Sequence, residues 1–110
     1  MLLTSIKDYK LVYVSFPYDG EEEQIKQVEV LIQDIIANDK KNDKKNIIYF
    51  SPLKAFRWVK DIEEDDLLNW GLKILTTCDE IYVSPDYELS GNVNQEIAIA
   101  KILGIPITYL

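Results

Sequence analysis

The sequence predicts an α/β protein, a doubly wound parallel sheet of four or five strands with helices on both faces. The first observation is the order of the predicted elements, since segments with strand character alternate with segments whose apolar residues recur at helical spacing. The second is that the strand segments are almost continuously apolar, which is typical of strands covered on both faces. Both favour a flavodoxin- or Rossmann-like arrangement, in which ligands bind beyond the carboxyl ends of the strands.

Four segments are rich in β-branched and aromatic residues and are bounded by turn-forming residues, so we predict them as strands. The predicted strands are residues 10–16, 47–51, 80–84 and 105–110. Pro17 and Pro52 follow the first two strands, where the missing N–H of proline would end a ladder. Gly104 precedes the last strand and is predicted to cap the helix before it.

Three segments have the periodicity of helices, with apolar residues on one face. The predicted helices are residues 21–37, 65–77 and 92–103. The polar run NDKKNDKKN at 38–46 is interpreted as a solvated loop rather than a ligand patch, since Asp and Asn interrupt the lysines. Phe56 and Trp58 are expected to cover the core rather than line a pocket. The acidic DIEEDD before the second helix is interpreted as a helix start, because it lacks the spacing of a cation-binding loop.

Composition limits the partners and the chemistry. A net charge of -7 argues against nucleic acid or an anionic membrane as the main partner. The absence of histidine excludes serine–histidine catalysis and histidine metal ligands, and no glycine-rich cofactor motif is present. We therefore expect neither a metal nor a cofactor. The single cysteine, Cys78, suits a reducing cytoplasm. We expect one domain, residues 1–110, without a signal peptide or a membrane-spanning segment.

The turn SPDYELSGNVNQE at 84–96 is where this architecture would place a ligand. The helix after it would direct unpaired N–H groups toward the loop, and Ser90 and Gly91 would add a hydroxyl and a close backbone approach. Such a corner suits a phosphate or a sugar hydroxyl. The alternative is ordinary capping, with Ser90 or Asn92 as N-cap and Gln95 completing a capping box.

Glu96 is the residue in this turn whose position is hardest to explain by capping alone. It lies three residues after Val93 and four before Ala100, beside the inward seam of the helix, where a carboxylate is costly without a partner. The helix dipole would favour its ionised form, which suits a nucleophile or a cation stabiliser better than an acid.

The segment CDEIYVSPDYELSGNVNQEIAIAKILGIPITYL resembles the C-terminal half of the nucleoside 2-deoxyribosyltransferase-like superfamily, especially its small bacterial and phage members. The shared pattern is an Asp opening a strand, then Ser-Gly, a Glu, a helix of small residues, and Gly-x-Pro before a strand. The residues that match it are Asp79, Ser90, Gly91, Glu96, Ala100, Gly104 and Pro106. The stretches VYVSFPYDG and FSPLKAF agree more weakly, so the resemblance extends over nearly the whole chain.

The resemblance implies a function and a set of roles. In characterised relatives the glutamate attacks the anomeric carbon of a (deoxy)ribose, so Glu96 would be the nucleophile that cleaves or transfers the N-glycosidic bond of a nucleoside or nucleotide. Ser90 and the helix N-terminus would hold a 5′-phosphate or a sugar hydroxyl. The candidates for substrate contact are Ser90, Gly91, Asn92, Tyr18, Asp19 and Asp86. The relatives also complete their sites with a neighbouring subunit, which together with twelve aromatic residues predicts a homodimer or higher homo-oligomer.

Departures from the family pattern leave a second hypothesis open. Phe16 stands where many relatives have a small loop, and Leu53 where some have a histidine. The second acidic residue of the family would be Asp66, but Asn69 is near enough to take its place and has no proton to give. With Asp66 in the pocket the chain would be an enzyme. With Asn69 there it would be a non-catalytic module that binds a nucleotide-like metabolite or a protein partner.

Overall fold

The computed structural model describes residues 8–110, which form a four-stranded, wholly parallel sheet with helices on both faces. The strands are β1 (Lys10–Ser15), β2 (Ile47–Phe50), β3 (Glu80–Val83) and β4 (Ile107–Tyr109). The helices are α1 (Glu22–Lys41), the short α2 (Pro52–Ala55), α3 (Glu64–Leu75) and α4 (Gly91–Leu103). The predicted fold class is confirmed. No helix within the described range is long and apolar enough to cross a membrane.

The strand order is β2-β1-β3-β4. After β1 the chain adds β2 on one side, and it then adds β3 and β4 on the other side, so the strand order reverses between β1 and β3. Val12 pairs with Tyr49 on one side and with Glu80 on the other, which makes β1 a central strand. The carboxyl ends of β1 and β3 therefore lie side by side where the strand order reverses. A crevice forms at such a point because the loops leave toward opposite faces.

Side chains of β1 alternate between two separate cores. Val12 and Val14 pack with Val28 and Ile35 of α1 on one face. Tyr13 packs on the other face with a group of buried side chains from α3, α4 and β3: Leu75, Val93, Ile97, Ala100, Ile81 and Val83. Burying apolar surface on both faces explains why the strand reads as a nearly unbroken apolar run. It also means that α4 lies on the same face of the sheet as the side chains of Tyr13 and Ser15.

Helix α1 continues to Lys41, four residues beyond the predicted end, so the predicted loop over 38–46 is wrong for its first part. The reason is Asp39, which is 4% exposed and accepts a hydrogen bond of 2.5 Å from the hydroxyl of Tyr49. Asp39 lies one turn after the buried Ile35 and on the same side of the helix. The buried Asp39, with its hydrogen bond from Tyr49, thus extends the helix into residues that the sequence predicts as a solvated loop.

Two of the remaining expectations concern large apolar side chains. Phe56 is half-buried and packs edge-on against Phe50 and Trp70, with ring centroids 6.1 and 5.3 Å apart, whereas Trp58 is 77% exposed and does not cover the core. Leu89 and Ile102 are also exposed. Exposed apolar side chains of this size suit an interface, and the homo-oligomer stays a prediction.

Candidate active site

A cleft of about 470 Å³ opens at the carboxyl ends of β1 and β3, where the strand order reverses. Its walls come mainly from the loop over 16–19, the start of α2, the first turn of α3, and the loop 86–90 with the start of α4, and Val14 of β1 and Gln24 of α1 also line it. Glu96 lines it as well. The volume lies within the range of small-molecule sites.

Glu96 is buried at the inner end of the cleft, with 2% of its surface exposed. Ser15 donates a hydrogen bond of 2.6 Å from its Oγ to Glu96 Oε1, and Tyr13 donates from its hydroxyl to Glu96 Oε2. Both carboxylate oxygens therefore have a partner from β1. Two hydroxyl donors fix the plane of the carboxylate and satisfy a group that would otherwise be too costly to bury.

Burial raises the pKa of Glu96 to about 7, although the hydrogen bonds from Ser15 and Tyr13 act in the opposite direction. The expectation that the helix position favours ionisation is thus outweighed by the loss of solvent around the carboxylate. Burial and the neighbouring Glu96 charge also raise the pKa of the Tyr13 hydroxyl, which keeps that hydroxyl a donor. Near neutral pH, Glu96 exchanges between its carboxylate and its protonated form.

Gly71 of α3 makes the contact between Tyr13 and Glu96 possible. A Cβ at Gly71 would lie 2.5 Å from the Tyr13 hydroxyl oxygen, closer than real Cβ contacts occur, and 3.4 Å from Pro52. The absence of a side chain lets α3 approach the sheet at the point where the tyrosine turns toward α4. Gly71 is therefore a positioning residue for Glu96, although it does not touch it.

Asn92 joins the first turn of α4 to the loop after β1. Its Nδ2 donates to the carbonyl oxygen of Phe16 at 3.0 Å, and its Oδ1 accepts from the backbone N–H of Tyr18 at 3.3 Å. Ser90 Oγ donates to the same Oδ1 at 2.6 Å and accepts from the backbone N–H of Val93 at 3.3 Å, which makes Ser90 the N-cap of α4. Both side chains bond within the protein, so the capping interpretation holds for Ser90. Asn92 shapes the cleft wall.

The other predicted contact residues lie around the mouth of the cleft. Tyr18 is half-buried, and Asp19 and Asp86 are exposed; all three line the cleft. Asp86 has a φ of 62°, in the left-handed region that few residues except Gly, Asn and Asp adopt readily. Gly91 also lines the cleft, and a Cβ added there would meet nothing within 4 Å. The cleft therefore has open space beside Gly91.

Helix α3 brings other carboxylates to the cleft than the predicted Asp66. Asp66 is exposed and is not among the lining residues, and the same is true of Asn69, whereas Glu64 and Asp65 line the wall. Successive helical residues differ by about 100° in direction, so the packing of α3 that turns Glu64 and Asp65 toward the cleft turns Asp66 away from it. The predicted catalytic role of Asp66 thus has no support from its position, and Asn69 does not replace it.

The sequence prediction missed Tyr13 and Ser15, the two partners of Glu96. Within KLVYVS they look like ordinary members of a buried strand. The available signal was their spacing, because residues 13 and 15 point to the same face and a buried serine needs a partner. In residues 8–110, no group of three or more His, Cys, Asp or Glu side chains is arranged to hold a metal ion.

Comparison with protein families gives one match, over residues 10–109, to a family described as a domain of unknown function, DUF4406. The chain belongs to the DUF4406 family. The matched segment contains all four strands and every residue of the cleft described above. No curated protein sequence matches the chain.

Two solved structures show how this DUF4406 domain relates to enzymes of known fold. It superposes on a 2-deoxyribosyltransferase from Bacillus psychrosaccharolyticus with a TM-score of 0.60 and 20% identity, over 90% of this chain and 70% of that chain. It superposes on a 2-deoxyribosyltransferase from Leishmania mexicana with a TM-score of 0.64 and 16% identity, over 92% of this chain and 63% of that chain. The nucleoside 2-deoxyribosyltransferase-like fold expected from the sequence is confirmed, and this chain spans about two thirds of either enzyme.

Proposed function

We propose that this protein cleaves or transfers the N-glycosidic bond of a small-molecule nucleoside, with Glu96 as the nucleophile. The observation that carries the proposal is a single buried carboxylate, held by two hydroxyl donors, at the inner end of a ligand-sized cleft. A buried carboxylate costs stability even when it is hydrogen-bonded, so its presence where the strand order of an α/β sheet reverses favours a functional role over a purely structural one. The fold shared with 2-deoxyribosyltransferases agrees with this chemistry.

The reaction would proceed in two steps. In the first, a Glu96 oxygen forms a bond to the anomeric carbon while the bond from that carbon to the base nitrogen breaks, and the electron pair leaves with the base. In the second, water or another base attacks the same carbon, Glu96 leaves as a carboxylate, and the proton that the attacking group loses balances the one that the departed base takes up from solvent. Tyr13 and Ser15 would fix the direction of the attacking oxygen, and Asn92 would hold the loop at the cleft wall.

The test is release of free base from a panel of nucleosides and nucleotides, with wild type compared with Glu96→Gln. Glutamine keeps the shape of the side chain but forms no ester and neutralises no developing cation, so turnover should fall by about a thousandfold or more. The exposed Glu23→Gln removes the same charge on α1, away from the cleft, and should leave turnover unchanged. Adding a second base separates transfer from hydrolysis. A Glu96→Gln protein that releases base as fast as wild type would refute the proposal.

The second candidate is a binding module of the same fold that performs no reaction. The position of Asp66 outside the cleft favours it, because no second carboxylate is buried beside Glu96 among the cleft residues. Binding of a nucleoside by calorimetry, with no base released over long incubation, is the result that would select it.

A further inference from the structure

Every charged side chain that lines the cleft is acidic. Five carboxyl side chains line it: Asp19, Glu64, Asp65, Asp86 and Glu96. Among the residues that the structure describes, no lysine or arginine lines it. Four of the five carboxylates are exposed around the mouth, and only Glu96 is buried. A concave surface with charges of one sign concentrates ligands of the opposite sign and repels ligands of the same sign.

The cations next to the cleft wall are used elsewhere. Lys54 of α2 pairs with Glu29 of α1, and Arg57 lies 3.6 Å from the carboxylate of Glu22. The N-terminus of α4 compensates only in part, because its Val93 N–H bonds to Ser90 Oγ and Asp86 lines the same cleft. A 5′-phosphate placed here would have four exposed carboxylates around it and no positive side chain. Within residues 8–110, no charged side chain of the cleft offers it a counter-charge.

The cleft also suits a positively charged base for a chemical reason. The two hydroxyls at its inner end, on Tyr13 and Ser15, already donate to Glu96 and are not free to protonate a departing base. A neutral base must gain a proton to leave easily, whereas a cationic base leaves as a neutral molecule when it takes the electron pair of the broken bond. The half-buried aromatic rings of Phe16 and Tyr18 line the same cleft, and aromatic faces attract cations.

We propose that this cleft selects a nucleoside that carries no phosphate and whose base bears a positive charge, such as a pyridinium nucleoside. The inference rests on the proposed function, because it concerns the substrate of the same site. The first step then needs no acid: a Glu96 oxygen bonds to the anomeric carbon, the carbon–nitrogen bond breaks, and its electron pair neutralises the pyridinium nitrogen. Water then attacks the anomeric carbon, restores the Glu96 carboxylate and releases one proton to solvent.

The test compares dissociation constants of the full chain for three probes of similar shape. They are nicotinamide riboside, its reduced and uncharged form, and the 5′-phosphate of the cationic form. We expect the cationic riboside to bind at least about tenfold more tightly than the uncharged one, and the phosphate to weaken binding by at least about tenfold, with both ratios shrinking as salt is raised. Equal binding of the charged and uncharged ribosides, tighter binding of the phosphate, or no binding of any probe would overturn the inference.

Two double variants test whether the carboxylates of the cleft wall cause the preference for a positively charged ligand. The double substitution Glu64→Gln with Asp65→Asn removes two exposed carboxylates from the cleft wall and should abolish most of the charge preference. The matched control is Glu23→Gln with Asp34→Asn, which removes the same charge from exposed positions of α1 outside this cleft and should preserve the preference. A preference that survives the first double variant refutes the assignment to the cleft.

The binding readout keeps this inference separate from the proposed reaction. Charge-selective binding without release of nicotinamide would refute the proposed reaction while supporting selection by the cleft. Release of base at equal rates from charged and uncharged nucleosides, with equal binding, would support the reaction and refute the selection.

Discussion

Gly71→Ala tests whether the close approach of α3 to Tyr13 is what places Glu96. The new Cβ would lie 2.5 Å from the Tyr13 hydroxyl oxygen, so the tyrosine ring must move away from it. Overpacking of this kind costs about 1–3 kcal/mol. Losing the buried hydrogen bond to Glu96 costs about 1–3 kcal/mol more. Alanine in a helix regains about 1 kcal/mol over glycine. The net loss in free energy of unfolding is therefore about 1–5 kcal/mol.

A double-mutant cycle with Tyr13→Phe isolates the cause. Phenylalanine removes the oxygen that the new Cβ would meet, and the next contact, to Pro52 at 3.4 Å, is an ordinary one. In the Tyr13→Phe background, Gly71→Ala should therefore be nearly neutral or stabilising by up to about 1 kcal/mol. The coupling between the two positions should reach at least about 2 kcal/mol by denaturant unfolding.

The same four proteins should be assayed for base release once a substrate is found. We expect Gly71→Ala to lower kcat at an almost unchanged KM, because Glu96 loses its orientation while the cleft wall stays in place. Additive unfolding free energies, within about 0.5 kcal/mol, would show that the glycine and the tyrosine do not interact and would refute the reasoning.

Three further predictions concern separate parts of the molecule. The pKa of Glu96 rises from its ordinary 4.5 to about 7 on folding, so the folded state holds the proton more tightly. This proton stabilises the folded state fully below about pH 4.5, and the stabilisation is lost as the pH rises from there to about 7. Wild type should therefore lose about 3 kcal/mol relative to Glu96→Gln across that window, and parallel pH profiles would contradict it. Asp39→Ala should destabilise by about 1–3 kcal/mol in thermal unfolding, and by less in a Tyr49→Phe background, because the part-buried bond between the two side chains is already absent there. Asn92→Ala should raise KM more than it lowers kcat, since the loop over 16–18 loses both bonds to α4; an unchanged KM would contradict this role.

The fold was predictable because the sequence patterns that indicate it lie within stretches of neighbouring residues. Unbroken apolar strands alternating with periodic helices predict a parallel sheet, and the position of the cleft follows from where such sheets bind ligands. The inward position of Glu96 also follows from the sequence, through its spacing from Val93 and Ala100 on one helix. Each of these inferences needs only neighbours along the chain.

The partners of Glu96 and the acidic wall were not predictable, because both depend on contacts between distant segments. Ser15 is 81 positions from Glu96, and although the spacing in KLVYVS places residues 13 and 15 on one face, it does not identify the distant residue that they contact. In DIEEDD, whether Asp65 or Asp66 faces the cleft depends on how α3 packs against the rest of the protein, which is a contact between distant segments. Asp39 was assigned to solvent for the same reason, since its partner Tyr49 lies on another element.

The central position of β1 has a consequence for how the chain is made. The ribosome delivers β1 well before its neighbour β3, and the register that pairs Val12 with Glu80 spans 68 positions of chain. Until β3 emerges, one side of β1 is an open edge that carries apolar side chains on both faces. Nascent strands in that condition pair with other chains and aggregate. The pace of translation through residues 51–79 therefore bears on the yield of correctly formed protein, independently of how stable the finished molecule is.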